Sequence, residues 1–253
     1  MDNDKKIECE RYDTRAQFLL TAGCSKVESG QDLGSVVIPP VYRAPYSYYE
    51  KCISRYITQD HNVLELCSGT GMHTYVLVKT GANVVATDIS YHSLEVLAQR
   101  IRGIKTVVAD MESLQFAAKT FDVVTCAGSL SYGDPALVDA EVRRVLRPGG
   151  IFICVDSLNH NPIYRINRRW HYLKGTRTKS TLLRMPTMAR LQSISRGFKN
   201  TELRFFGSVS YLMPILARIM GQTKAAQASD AFDRLVNVRQ SAFKFVLVAQ
   251  GRL

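Results

Sequence analysis

Glu65, Gly69, Gly71 and Asp88 carry the most chemical information in this chain. Residues 63–74, VLELCSGTGMHT, join an apolar strand to an acid and then to a glycine loop, and a second acid, Asp88, closes another apolar strand nineteen residues past Gly69. An acid at the end of each strand, with a glycine turn between them, describes a pocket for an adenosine-containing cofactor at the carboxyl edge of an open parallel sheet. The order of the parts narrows the choice. A dinucleotide site asks for G-x-G-x-x-G directly after the strand, so that a pyrophosphate can sit against the helix N-terminus. Here the third glycine position is Thr74.

The string instead reads acid-x-(Gly)-x-Gly-x-Gly, with Glu65 first, Cys67 where a glycine usually stands, then Gly69 and Gly71. In this it resembles the first motif of the class I S-adenosylmethionine (SAM) methyltransferases, and further landmarks follow in order over about residues 46–156. NVVATDIS (83–90) resembles the second strand of that family, which implies that Asp88, with Ile89 beside it, accepts hydrogen bonds from both ribose hydroxyls. VVADMESLQF (107–116) resembles the third strand and its acidic turn, implying that Asp110 and Met111 flank the adenine. FDVVTCAGS (121–129) resembles the fourth strand, with Gly128 under the methionine end, and VLRPGGIFICVD (145–156) the Pro-Gly-Gly turn and fifth strand. SAM is the implied cofactor and S-adenosylhomocysteine the implied product. Because a Cβ disfavours positive φ, Cys67 is expected in an ordinary backbone region.

The same resemblance implies in-line transfer of a sulfonium methyl group, in which positioning supplies much of the catalysis and a hydroxyl acceptor needs a base within reach. The family puts such groups on the loops after the fourth and fifth strands, which here offer Tyr132, Asp134, Asp156, Asn159, His160 and, further on, His171. His160 is the expected base, since its ordinary pKa lies near working pH, with Tyr132 and Asp156 as its catalytic companions. His73, at the start of the loop helix, is expected against the cofactor's carboxylate region, and His61 and His92 face solvent. Asn159, Arg165, Arg168 and Arg169 are the expected acceptor contacts, the arginines suiting a carboxylate or phosphate. Asp134, Asp156 and Asn159 lack the tight Asp-Asn pairing of a metal-dependent catechol site, so no metal is expected.

These residues need a doubly wound α/β sheet to position them. Strands near 83–87, 105–108, 121–126 and 150–156 alternate with helices near 72–80, 92–102 and 136–146, after helices near 8–22 and 47–57, with Ser47 and Glu50 at capping-box spacing. The expected whole is one Rossmann-like domain of seven strands: a helical N-terminal segment (1–58), a SAM-binding core (59–156) and a basic acceptor-side region with closing strands (157–253). In that last region a long loop runs to a helix near 186–197. Strands near 202–206 and 242–249 follow, the last antiparallel, with a helical addition between them.

Composition bounds the remaining function classes. The 253 residues, 46% hydrophobic, suffice for one such domain. The charged N-terminus, the absence of a span-length apolar run and six scattered cysteines without a C-x-x-C pair lead to the expectation of a cytoplasmic protein with reduced thiols. Residues 1–150 hold 16 Lys or Arg against 18 Asp or Glu, whereas residues 151–253 hold 17 against 4, so the net charge of +11 belongs wholly to the second part. From Arg165 to Arg204 there are eleven basic residues and one acid, Glu202, which points to an anionic partner. RYDTRAQFLL, PYSYYEKCI and NPIYRINR...GTRTKSTLLRMP also resemble bacterial stand-alone methyltransferases of polysaccharide and natural-product biosynthesis. The expectation is therefore methylation, at oxygen, of a small-molecule or glycan acceptor. An RNA methyltransferase is the alternative. Against it, CAGSLSYGD replaces the (Asp/Asn)-Pro-Pro-(Tyr/Phe) turn, Asn161-Pro162-Ile163-Tyr164 follows the wrong strand, and no separate RNA module fits. A third reading is a non-catalytic subunit docking a partner or an anionic membrane surface. Oligomeric state is open.

Overall fold

The structure, a computed structural model, describes residues 3–21, 38–175, 177–209, 212–235 and 241–253. Seven strands, β1 (Asn62–Leu66), β2 (Asn83–Asp88), β3 (Lys105–Val108), β4 (Phe121–Ala127), β5 (Leu146–Ser157), β6 (Phe198–Phe206) and β7 (Lys244–Arg252), form one sheet in the order β3-β2-β1-β4-β5-β7-β6. β1 to β5 run parallel, and β7 is antiparallel to both β5 and β6. Strand order reverses at β1, so a crevice opens at the carboxyl ends of β1 and β4, where open α/β sheets bind ligands.

The strands are apolar on both faces because helices cover both. Leu64, Val124, Cys154 and Leu247 point to one side, into a core shared with Val138 and Val142 of α5 (Pro135–Val145) and Leu191 and Ile194 of α8 (Met188–Ser195). Their neighbours Val63, Val123, Val155 and Val246 point to the other, against Tyr49 and Ile53 of α2 (Ala44–Tyr56) and Leu77 of α3 (Thr74–Lys79). α4 (Tyr91–Arg100) packs Leu94 and Leu97 on Ala86 of β2, and α1 (Asn3–Thr21) lies across α4 with Ala16 and Leu19 against Val96.

Several helix starts follow local chemistry. Ser90 caps α4 by accepting from the Ser93 N–H, and Asp134 caps α5 just before Pro135. The expected capping box on α2 does not form: the helix begins at Ala44 behind Arg43, and Glu50 turns to His73 instead. The expected long loop after β5 is mostly helical, with α6 (Pro162–Leu173) and α7 (Lys179–Leu183). Asn161 accepts from the Tyr164 N–H with Pro162 in the first turn, so the Asn-Pro-Ile-Tyr string is a helix cap. β5 begins four residues early because Leu146 pairs with Phe121 across a register shift at the Pro-Gly-Gly turn. β6 likewise begins at Phe198, which pairs with Arg252 at the end of a longer β7. Between those strands lie two helices, α9 (Met213–Met220) and α10 (Gln222–Leu235). The Asp233 carboxylate of α10 accepts from the N–H groups of Gly207 and Ser208 at 2.6 and 3.0 Å, pinning the addition to the end of β6.

Candidate active site

The crevice at the strand ends is a cavity of about 400 Å³. Its floor is the loop after β1, where the Asp88 carboxylate accepts from the Gly69 N–H at 2.8 Å and from the Ser90 N–H at 2.9 Å. Burial pushes the Asp88 carboxyl above its ordinary value, while the N–H bonds from Ser90 and Gly69 oppose that shift. Gly69 lines the cavity at φ +54°, and a Cβ there would meet no atom within 4 Å, so the vacant side-chain position opens onto ligand space. Gly128, after β4, has the same character at φ +71°. Gly71 is different. A Cβ there would fall 2.4 Å from Leu97 Cδ1, so this glycine lets α4 approach the loop and does not line the cavity.

Glu65 is buried at the cavity wall and accepts from Thr74 Oγ1 at 2.6 Å. Burial raises its carboxyl to about 8, against the Thr74 hydrogen bond. A cationic ligand is what this carboxyl needs to ionise. Cys67 departs from expectation: it adopts φ +52°, the left-handed conformation a glycine would take at no cost. Its Sγ lies 3.6 Å from Met111 Sδ, and burial raises the thiol well above its ordinary value. Asp110 also lines the cavity, and Lys5 of α1 binds both it, at 2.5 Å, and Glu112, at 2.6 Å. Burial works against the Lys5 ammonium, but the two carboxylates outweigh it and hold its pKa above the ordinary lysine value.

α1 thus roofs the cavity and closes its other end too. Tyr12 and Tyr132 share a hydroxyl hydrogen bond of 2.7 Å with their rings edge to face, and Arg177 donates to the Tyr132 hydroxyl at 2.7 Å. Burial holds the Tyr12 phenol far above its ordinary pKa, so it remains a neutral donor. Burial also opposes the charge on Arg177, and the two tyrosines outweigh that, leaving it a firm cation. Asp4 accepts from the Ser180 N–H and Glu8 from Thr178 Oγ1, fastening the roof to the segment that carries Arg177. His73 completes the lining. Its Nδ1 lies 3.0 Å from Glu50 Oε1, with Tyr46 stacked on the ring and Tyr49 against its edge.

The structure therefore gathers Glu65, Cys67, Gly69, Asp88, Ile89, Asp110, Met111, Gly128 and Tyr132 around one cavity. Asp156 is buried beside it, both carboxylate oxygens committed to the N–H groups of Leu130 and Ser157, so it shapes the β4 loop and does not line the cavity. His160 is exposed on the turn before α6, and Asn159 donates its backbone N–H to Pro186; neither lines the cavity. Arg165, Arg168 and Arg169 lie on α6, also outside it. Sequence reasoning did not single out Tyr12, Arg177, Lys5 or the Glu50 partner of His73. Tyr12 and Arg177 lie in the quoted RYDTRAQFLL and GTRTKS strings, and Glu50 in PYSYYEKCI, but no spacing marked any of the four.

Residues 64–154 match the family described as "Methyltransferase domain". Over these residues the chain carries a methyltransferase domain. Among curated proteins the chain is similar to the demethylmenaquinone methyltransferase of Corynebacterium kroppenstedtii, 34% identical over 133 residues, which is 52% of this chain and 53% of that one. The chain thus spans about half the length of the curated relatives it matches. Among solved structures, the geranyl diphosphate C-methyltransferase of Streptomyces coelicolor, held with S-adenosylhomocysteine, superposes with a TM-score of 0.58 at 14% identity, covering 82% of this chain and 79% of that one. A phosphoethanolamine N-methyltransferase of Haemonchus contortus gives 0.59 at 14%, covering 82% and 53%. These likenesses confirm the seven-stranded class I methyltransferase fold. SAM is the cofactor the site fits: Gly69 and Gly128 leave open space in the lining, Asp88 and Asp110 lie beside neighbouring strand ends, and a cation near Glu65 would favour its ionised form.

Proposed function

We propose that this protein is a SAM-dependent methyltransferase acting on an apolar small molecule with an acidic ring oxygen, a quinol or enol, at the carbon beside that oxygen. The observation that carries the reading is the hydrogen-bonded set Tyr12, Tyr132 and Arg177 in the wall of the cavity that also contains Gly128. When bound, SAM supplies an electrophilic methyl group on a sulfonium. A guanidinium has five N–H donors, so Arg177 can hold Tyr132 and still donate to an acceptor oxygen, favouring its deprotonated form. Tyr12, kept neutral by burial, adds a second donor to the same oxygen. An enolate whose oxygen is engaged by donors presents its adjacent carbon as the free nucleophile, which favours carbon over the oxygen expected from the sequence. His73, oriented by Glu50, is placed to receive the proton the ring must lose.

The cavity's apolar and aromatic side chains, among them Leu19, Ile38, Tyr46 and Met72, suit such a ring better than a sugar. The curated relatives, named for demethylmenaquinone, support the same acceptor class. The arginines expected to hold an anionic glycan acceptor, Arg165, Arg168 and Arg169, lie outside the cavity. The test is methyl transfer from radiolabelled SAM to prenylated naphthoquinols, nucleotide sugars and RNA in parallel, with the quinol product's methyl position read by NMR. Turnover on the quinol alone, at carbon, is expected. Turnover on a nucleotide sugar or RNA with none on quinols overturns the proposal. Arg177→Met should lower turnover by roughly 100-fold while SAM affinity holds.

A further inference from the structure

Helix α6 buries none of its side chains. At about 100° per residue, Ile163, Ile166, Trp170 and Leu173 fall within one arc of roughly 80°, and they are 52%, 68%, 56% and 75% exposed. The opposite side of the helix meets the protein: the Tyr164 hydroxyl donates to Ser157 Oγ, and the Arg168 guanidinium rests over the Tyr164 ring and against Met185 Sδ. The apolar stripe therefore faces outward. Arg169 flanks it on one side, with Arg165 further round the helix, and Lys174, lying over the Trp170 ring, flanks it on the other. No Asp or Glu occurs from residue 157 to residue 201.

A protein partner's apolar groove would match the stripe alone. An anionic lipid surface matches both features, because acyl chains take the apolar side chains while headgroups meet a flanking row of cations with no acid nearby. We infer that α6 is an interfacial helix that docks this protein on anionic membranes, with Trp170 at headgroup depth. Arg177, in the cavity wall, follows α6 by four residues, so the docked helix leads directly into the acceptor end of the site. The inference stands on α6 itself and does not depend on the identity of the acceptor.

Trp170 is the chain's only tryptophan, so its fluorescence reports this face directly. The full chain is mixed with vesicles of phosphatidylcholine alone or of phosphatidylcholine with phosphatidylglycerol. The expected result with anionic vesicles is blue-shifted Trp170 emission, quenching by brominated acyl chains, and co-sedimentation that high salt reverses. Arg165→Gln with Arg169→Gln should weaken binding by roughly 30-fold, at about fivefold per basic residue. Ile166→Asp should abolish the blue shift. All three side chains are exposed, and unchanged calorimetric SAM affinity in the variants shows that the fold persists. The inference is overturned by absent binding to anionic vesicles, by equal binding to neutral ones, or by variants that bind like wild type. A dimer in sedimentation velocity that Ile166→Asp splits overturns it in favour of an interface between copies.

Discussion

Replacing Gly69 with alanine should cost the protein its cofactor and little of its stability, whereas the same change at Gly71 should do the reverse. At Gly69 the new methyl meets no protein atom within 4 Å, and φ is +54°. The left-handed conformation costs an alanine about 1–2 kcal/mol, of which roughly 0.4–1 kcal/mol is returned by the smaller entropy of the unfolded chain. A net loss of about 1 kcal/mol lowers the melting temperature of a chain this size by roughly 2–4 °C. The methyl instead stands in cofactor space. Overfilling a packed contact costs about 1–3 kcal/mol, or between about fivefold and 150-fold in SAM affinity. At Gly71 the methyl lies 2.4 Å from Leu97 Cδ1, and Leu97 is fully buried between α4 and β2. The same overpacking then falls on the fold, adds to the backbone cost, and lowers the melting temperature by roughly 5–15 °C. The assays are differential scanning calorimetry without ligand and SAM titration well below each variant's melting temperature. Unaltered SAM affinity in Gly69→Ala would refute the placement of the cofactor against this loop.

Three further outcomes are expected. Glu65, protonated in the ligand-free fold up to about pH 8, binds more protons folded than unfolded between its ordinary 4.5 and 8, so ligand-free stability falls as pH rises through that window. Glu65→Gln should flatten this decline in melting temperature against pH. Lys5→Met leaves Asp110 and Glu112 facing each other under the roof without their cation; we expect a loss of about 3 kcal/mol in chemical denaturation and weaker SAM binding. His160→Ala removes an exposed side chain outside the cavity, so turnover should stay within about twofold of wild type, and a drop of the general-base size, roughly 100-fold, would return His160 to the chemistry.

The strand-end part of the cavity lining was legible in the sequence because it is local. Each of Glu65, Gly69, Asp88 and Gly128 lies at or just beyond the carboxyl end of a strand whose apolar run can be counted, and the strand rhythm orders those ends along one edge. The rest of the lining was not legible, because its contacts join distant parts of the chain: Tyr12 meets Tyr132, Arg177 meets Tyr132, and Glu50 meets His73. No period or spacing relates such pairs. His160 and the α6 arginines were attractive for their residue types, yet the asparagine cap at 161 starts a helix that lies outside the cavity, with His160 on the turn before it. Cys67 shows the limit of a backbone argument: a left-handed cost of about 1–2 kcal/mol is small enough for the turn to impose on a residue whose sulfur packs on Met111.

One rod spans the whole opening. α1 holds Asp110 through Lys5 and the Arg177 segment through Asp4 and Glu8, all within its first two turns. A helix that stays intact cannot release one of these anchors far without straining the others, so this side of the cavity opens as a unit. Any ligand that passes beneath α1 would then wait on the same event, and its exchange rate would carry the imprint of how often these three side-chain contacts let go together.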